Sequence, residues 1–260
     1  MTGWLSVHRG TGPLIVSIPH SGTDIPAEFM DDFRSPALAR NDADWFVDRL
    51  YDFARALGAT IVHSGVSRSV IDLNRDPSGA SLYPGQATTG LCPETTFDGE
   101  PLYRPGRAPD VAARRTGWFD PYHAALAAEI ARLRAGHPAI VLYDAHSIRS
   151  HVPRLFDGEL PQFNIGTNSG QSCALALAAS VRNACTDSVV VDGRFKGGWI
   201  TRHYGAPQQG IHAIQMELAI RGYADESPWP PRWSAERAAP LQARLHAILS
   251  TCIDFAKAQA

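Results

Sequence analysis

Four cysteines, Cys92, Cys173, Cys185 and Cys252, are spread over 260 residues, and no two form a C-x-x-C pair. Their spacing fits neither a zinc ribbon nor a disulfide framework, so free thiols in a reducing compartment are expected. Long apolar runs are missing too. No window approaches the roughly 18 consecutive apolar residues of a membrane span, and the N-terminus lacks the charged-then-apolar pattern of a secretory signal. Charge of one sign is scarce: 24 Lys and Arg face 26 Asp and Glu, for a net charge of −2. A nucleic-acid-binding domain shows a basic stripe and a much higher isoelectric point than the 6.5 of this chain. Repeats and low-complexity tracts are absent. These absences predict a soluble cytoplasmic protein that binds neither nucleic acid nor membrane; a small-molecule substrate and a monomer or small homo-oligomer are expected.

What is present is 44% hydrophobic residues, enough for one large core, so residues 1–260 are read as one domain. Apolar runs at 14–18, 60–63, 69–73, 139–143, 188–191 and 211–218 predict strands. Helical spacing is found over 43–57, 116–135, 172–184 and 235–258, with Gly58 and Gly136 as stops. This alternation predicts an α/β sheet. Residues 76–110, rich in Pro, Gly, Thr and Asp, predict a functional loop or lid.

Two stretches stand out. Leu14-Ile15-Val16-Ser17-Ile18 ends at Pro19 and is followed by His20-Ser21-Gly22; Ala139-Ile140-Val141-Leu142-Tyr143 is followed by Asp144-Ala145-His146-Ser147. Ligands of open α/β sheets sit outside the carboxyl ends of strands. Two histidines placed there could share one metal, and catalytic zinc takes three protein ligands with one position left open. Asp24, Asp44 and Asp144 are all available as the third. Asp42 and Asp44 would equally serve as helix caps. Glu217 stands in the apolar run 211–218, where burial raises a carboxyl pKa and suits it to proton transfer. Arg68 and Arg75 flank Asp72-Leu73-Asn74, and a guanidinium grips a carboxylate through two parallel hydrogen bonds. A structural ion pair with Asp72 or Asp76 is the plainer alternative. Arg194, Lys196, Arg202 and His203 crowd a glycine-rich loop and suggest a second anion pocket. The loop Gly166 to Gly170 matches no phosphate-binding pattern.

Taken together, Ile18-Pro19-His20-Ser21-Gly22, Asp44-Trp45, Ser67-Arg68, Asp72-Leu73-Asn74-Arg75, Asp144-Ala145-His146-Ser147, the 193–198 and 201–204 segments and Gln215-Met216-Glu217 closely resemble the N-formylglutamate amidohydrolase family, a relative of the zinc carboxypeptidases and aspartoacylase. The resemblance spans about residues 10–225. It implies a three-layer α/β fold with a mixed, mostly parallel sheet and helices on both faces. It further implies a metal held by His20, His146 and Asp44, zinc by default with cobalt or manganese as substitutes, and Glu217 as general base and acid. Arg68 would polarise the scissile carbonyl, and Asn74 and Arg75 would hold a substrate carboxylate. One departure is plain: the wider superfamily carries His-x-x-Glu, whereas His20 is followed by Ser21, Gly22 and Thr23, so Asp24 stays a fallback for the third ligand. The implied reaction is hydrolysis of N-formyl-L-glutamate in histidine degradation. Alternatives are a deacylase for N-succinyl or N-acetyl acidic amino acids, a two-histidine-one-carboxylate iron oxygenase, and a non-catalytic amino-acid-binding protein.

Overall fold

The structure, a computed structural model, describes residues 3–82 and 85–259. Its centre is a seven-stranded sheet of β1 (Leu5–His8), β2 (Leu14–Ile18), β3 (Thr60–Ser64), β4 (Ile140–Ile148), β5 (Phe163–Gly166), β6 (Val189–Val191) and β7 (Ile211–Ala219), in the order β1-β3-β2-β4-β7-β5-β6. The pairs β2–β3, β2–β4, β4–β7 and β5–β6 are parallel, and β1–β3 and β5–β7 antiparallel.

Every residue of β2 and β4 is buried, which is why β2 and the first half of β4 read as near-continuous apolar runs: parallel strands at the middle of a sheet are covered on both faces. Side chains alternate between those faces. Leu14, Val16 and Ile18 join Val141, Tyr143, Ile214 and Met216 in one core, covered by Leu245, Ile248 and Leu249 of the helix Ala235–Lys257 and by Leu177 and Val181 of the helix Leu175–Ala184. Ile15, Ile140, Leu142 and Ala213 face the other way, onto Tyr122, Leu126 and Ile130 of the helix Asp120–Arg134. Along this second face the apolar rows of β4 and β7 end at Leu142 and Ala213. A buried polar row continues them: Asp144 pairs in register with Gln215, and His146 with Glu217.

Several elements differ from the sequence expectations. β4 runs on to Ile148, so Asp144 and His146 lie within the strand rather than beyond it. Residues 69–73 form no strand; Arg68 and Asp72 close a turn through an ion pair of 2.7 Å, and the Asp72 N–H donates to Leu91 O at 2.7 Å. The expected helix over 43–57 is reduced to Val47–Leu50 and a 3-10 turn, Asp52–Arg55. Its first residues are drawn into the site instead, where the Asp44 N–H donates to His20 O at 3.0 Å, and Phe46 takes a left-handed conformation with φ of 64°. β1 and β5 lie outside the runs expected to form strands. The 195–205 loop contains a short helix, Trp199–Tyr204.

Candidate active site

His20 stands two residues past β2, where Pro19 has ended the strand. The turn passes so close to the neighbouring chain that a Cβ at Gly22 would lie 2.1 Å from the Gly65 carbonyl carbon; only glycine fits. This turn, the 40–46 segment and β4 deliver His20, Asp44 and His146 to one point, where one ligand atom from each lies within 4.8 Å of the others. Asp44 Oδ2 is 3.0 Å from His146 Nδ1 and 3.8 Å from His20 Nδ1. All three side chains are buried.

The far nitrogens of both rings meet carboxylates: His20 Nε2 is 2.8 Å from Asp72 Oδ1, and His146 Nε2 is 2.9 Å from Asp144 Oδ2. Nε2–H donation to these acids would leave each Nδ1 with a lone pair directed at the shared point; His146 Nδ1 also meets Asp44 Oδ2 at 3.0 Å, and its Nε2 meets Asn74 Nδ2 at 3.0 Å. This carboxylate–histidine arrangement orients metal-ligating imidazoles. The Nδ1 of His20 is buried with no hydrogen-bond partner among the described residues. An orphaned acceptor beside a second imidazole and a carboxylate fits a divalent cation, and both rings would bind it neutral.

The surrounding charges are strongly perturbed. Burial pushes the Asp72 carboxyl up, but Arg75, His20 and Arg68 outweigh it and hold the group well below the usual carboxylate range. Burial lowers His20, with Arg68 adding to the effect. Burial acts the same way on His146, yet Asp144 and Asp44 carry it well above the usual histidine range. Glu217, next to His146 in the sheet, is pushed up to about 8 by burial, against the pull of His146 and Arg68 and with help from Asp44.

A cleft opens over this group. Its lining includes His20, His146, Glu217, Arg68, Asn74, Arg75 and Arg194. Arg68 donates to Asp44 Oδ1 at 3.1 Å and Asp72 Oδ2 at 2.7 Å, so the ion pair with Asp72 read as the plainer alternative does form. Arg75 is braced by Thr89, donating from Nε to the carbonyl at 2.9 Å, and Arg194 by Ala87 O and Leu155 O, both at 2.7 Å. Asn74 lines the cleft with its amide engaged: Nδ2 donates to Asp144 Oδ2 at 2.9 Å, and Oδ1 accepts from the Ile200 N–H at 2.7 Å.

The basic loop is dispersed. Arg194 reaches the cleft, whereas Lys196, Arg202 and His203 are not among its lining residues; Arg202 Nε donates to Gly197 O, and the exposed His203 stacks on Trp199 at 4.7 Å. Asp24 is exposed, bridged to Val66, and outside the ligand group. Sequence reasoning missed Asp72 and Asp144 as the partners of the two imidazoles. The D-x-H spacing of Asp144 and His146 was the available signal, since residues two apart on a strand share a face.

Fold and site define an α/β protein with a buried His–Asp–His group that could hold a metal ion at the carboxyl ends of its central strands. The family model for N-formylglutamate amidohydrolase matches residues 12–224, a span containing every residue of this site, and the chain belongs to that family. An N-formylglutamate deformylase of Pseudomonas aeruginosa is 46% identical over 260 residues, covering 97% of each chain. One of Pseudomonas putida is 45% identical over 256 residues, covering 96% of this chain and 95% of its own. Among solved structures, an N-formylglutamate amidohydrolase from Ralstonia eutropha JMP134 shares the fold, with a TM-score of 0.81, 24% identity and 99% of each chain covered. Among the described residues no helix is long and apolar enough to cross a membrane.

Proposed function

We propose that this chain hydrolyses N-formyl-L-glutamate to formate and L-glutamate, as a cytoplasmic step of histidine degradation carried out by one domain spanning residues 1–260. The observation that carries this reading is the convergence of His20, Asp44 and His146 within 4.8 Å beside Glu217, in a chain nearly half identical to deformylases over almost its whole length.

His20, Asp44 and His146 would hold a divalent metal, zinc by preference, with cobalt or manganese as substitutes. When bound, that ion supplies Lewis-acid polarisation and lowers the pKa of a coordinated water from about 15.7 to about 7. Asp72 and Asp144 keep both imidazoles in the ligating tautomer. Glu217 takes a proton from water as its oxygen attacks the formyl carbon, then gives that proton to the leaving nitrogen as the C–N bond breaks. Arg68, which spends one N–H on each of Asp44 and Asp72, offers its remaining donors to the developing oxyanion. Arg75 and Arg194 supply the cationic lining for the two glutamate carboxylates. Asn74 supports the site by fixing Asp144, and Lys196, Arg202 and His203 contribute from outside the cleft.

The test is formate release from N-formyl-L-glutamate by chelator-stripped protein, with and without added zinc or cobalt. Turnover restored by metal is the expected result. A folded sample that shows no turnover with any metal would overturn the reading.

A further inference from the structure

Two apolar side chains border the metal-ligand group, and the reaction scheme above gives neither of them a role. Phe97 lies over the guanidinium of Arg68, 4.9 Å from the ring centroid, and Arg68 in turn donates to Asp44. Ile148 follows His146 by two residues on β4, on the same face. Both line the cleft, and both are buried in one small apolar cluster.

Phe97 is held firmly. Its backbone N–H donates to Asp42 Oδ2 at 2.7 Å, and Asp42 belongs to the segment that supplies Asp44. The turn carrying Phe97 is closed by hydrogen bonds from Gly99 N–H to Thr96 O at 2.9 Å and from Glu100 N–H to Thr96 Oγ1 at 3.1 Å. Gly99, at a φ of 90°, takes the left-handed position that the turn requires. The backbone that carries Phe97 is therefore tied to the segment that supplies Asp44, while its side chain is free to be shortened.

The reacting carbon of an N-acyl amino acid carries the amide nitrogen on one side and the acyl substituent on the other. The amino-acid half is committed to Arg75 and Arg194, which are joined by the 87–89 strap. The acyl substituent must lie within one bond of the carbon, beside the ligand group. In a formyl group that substituent is a hydrogen.

Building on the reading of function above, we propose that Phe97 and Ile148 form the acyl-side wall that admits formyl and excludes acetyl, propionyl and succinyl groups. Being apolar, the wall gives a succinyl carboxylate no partner, and with the Phe97 backbone pinned to Asp42 it would yield little to a methyl. One methyl-sized difference in a fitted pocket is worth about 10- to 200-fold in kcat/KM.

The experiment compares kcat/KM for N-formyl-, N-acetyl- and N-propionyl-L-glutamate in the zinc-loaded wild type and in Phe97→Ala, Phe97→Leu, Ile148→Ala and Ile148→Val, with zinc content and melting temperature recorded for each. The expected result is a formyl-over-acetyl preference that narrows by about 10- to 200-fold in the alanine variants and by less, in the same direction, in the conservative ones. An unchanged preference in folded, zinc-loaded variants of both positions overturns the wall. Wild type that releases no formate at all overturns the underlying reading of function instead, so the two failures are distinguishable.

Discussion

Replacing Asp72 by asparagine tests the arrangement that holds the site together. The carboxylate is completely buried and accepts from His20 Nε2 at 2.8 Å, Arg68 at 2.7 Å and the Asn74 N–H at 2.9 Å, with Arg75 at 3.7 Å. Asparagine preserves the shape and removes the charge, leaving the buried Arg68 with only Asp44, at 3.1 Å, as an ionic partner. Breaking a buried ion pair from one side costs about 3–5 kcal/mol. Hydrogen bonds to a charged group are worth about 1.5–3 kcal/mol each. All of these meet on one carboxylate and do not add, and the amide oxygen can still accept one bond. The expected loss is therefore about 3 kcal/mol, read by urea unfolding of chelator-treated protein, so that metal linkage does not contribute. A second effect runs through His20, whose ring loses the acid that orients it. Zinc affinity, measured by competition with a chromogenic chelator, should fall about 10- to 100-fold. A stability loss under about 1 kcal/mol together with zinc affinity within twofold of wild type would refute the reasoning.

Four further outcomes are expected. Glu217→Gln should keep its zinc and lose about 10²- to 10⁴-fold in kcat for formate release; a variant retaining a tenth of the activity would remove Glu217 from proton transfer. Gly198→Ala should cost about 1–3 kcal/mol, because its Cβ would stand 2.4 Å from Asn74 Nδ2. Gly117→Ala, with nothing within 4 Å, should be neutral or slightly stabilising in the same unfolding assay. His123 is held neutral: burial lowers its pKa from 6.5 to about 4, against the bond to Leu73 O. The unfolded chain thus takes up this proton first, so the stabilisation is complete above pH 6.5 and is lost as pH falls towards 4, about 3 kcal/mol in all. The stability gap between wild type and His123→Gln should narrow by about 2 kcal/mol between pH 7 and pH 5, and a constant gap would exclude His123 as the acid-sensitive group.

How much of this site the sequence carried depends on how locally each residue is placed. His20 was legible because a run with four apolar residues in five positions ends abruptly at Pro19, and the structure puts the histidine where such a run must stop. His146 was singled out on the same reasoning, but β4 does not stop before it. Its ring faces the site because of strand alternation, which also brings Asp144 to the same face. Asp44 was no better than two other aspartates until the family resemblance was weighed. Its segment is irregular, shaped by a left-handed Phe46 and a hydrogen bond to His20 O, and neither leaves a periodic trace. The basic loop failed for the opposite reason. Residues 194–203 are neighbours in sequence, but once a helix begins at Trp199, successive side chains turn about 100° apart and a shared pocket is no longer implied.

Side-by-side placement of Glu217 and His146 follows from the β4–β7 register, a long-range fact for which no local pattern stands. Phe97 is the extreme case. It is an apolar residue in a stretch rich in Pro, Gly and Thr, and nothing in its surroundings marks it as buried. It is placed by the carboxylate of Asp42, 55 residues earlier, and by the guanidinium of Arg68. Charged groups are compact anchors that act across any sequence separation, whereas hydrophobic periodicity reports only the face of the element it belongs to. In this chain His20 and His146 come from the ends of β2 and β4 and Asp44 from an irregular segment, while the proposed wall joins Ile148 of β4 to Phe97, on a loop tied to that segment by charge. Substitutions in the wall should therefore change which acyl group is accepted while leaving the group beneath it, and its affinity for zinc, in place.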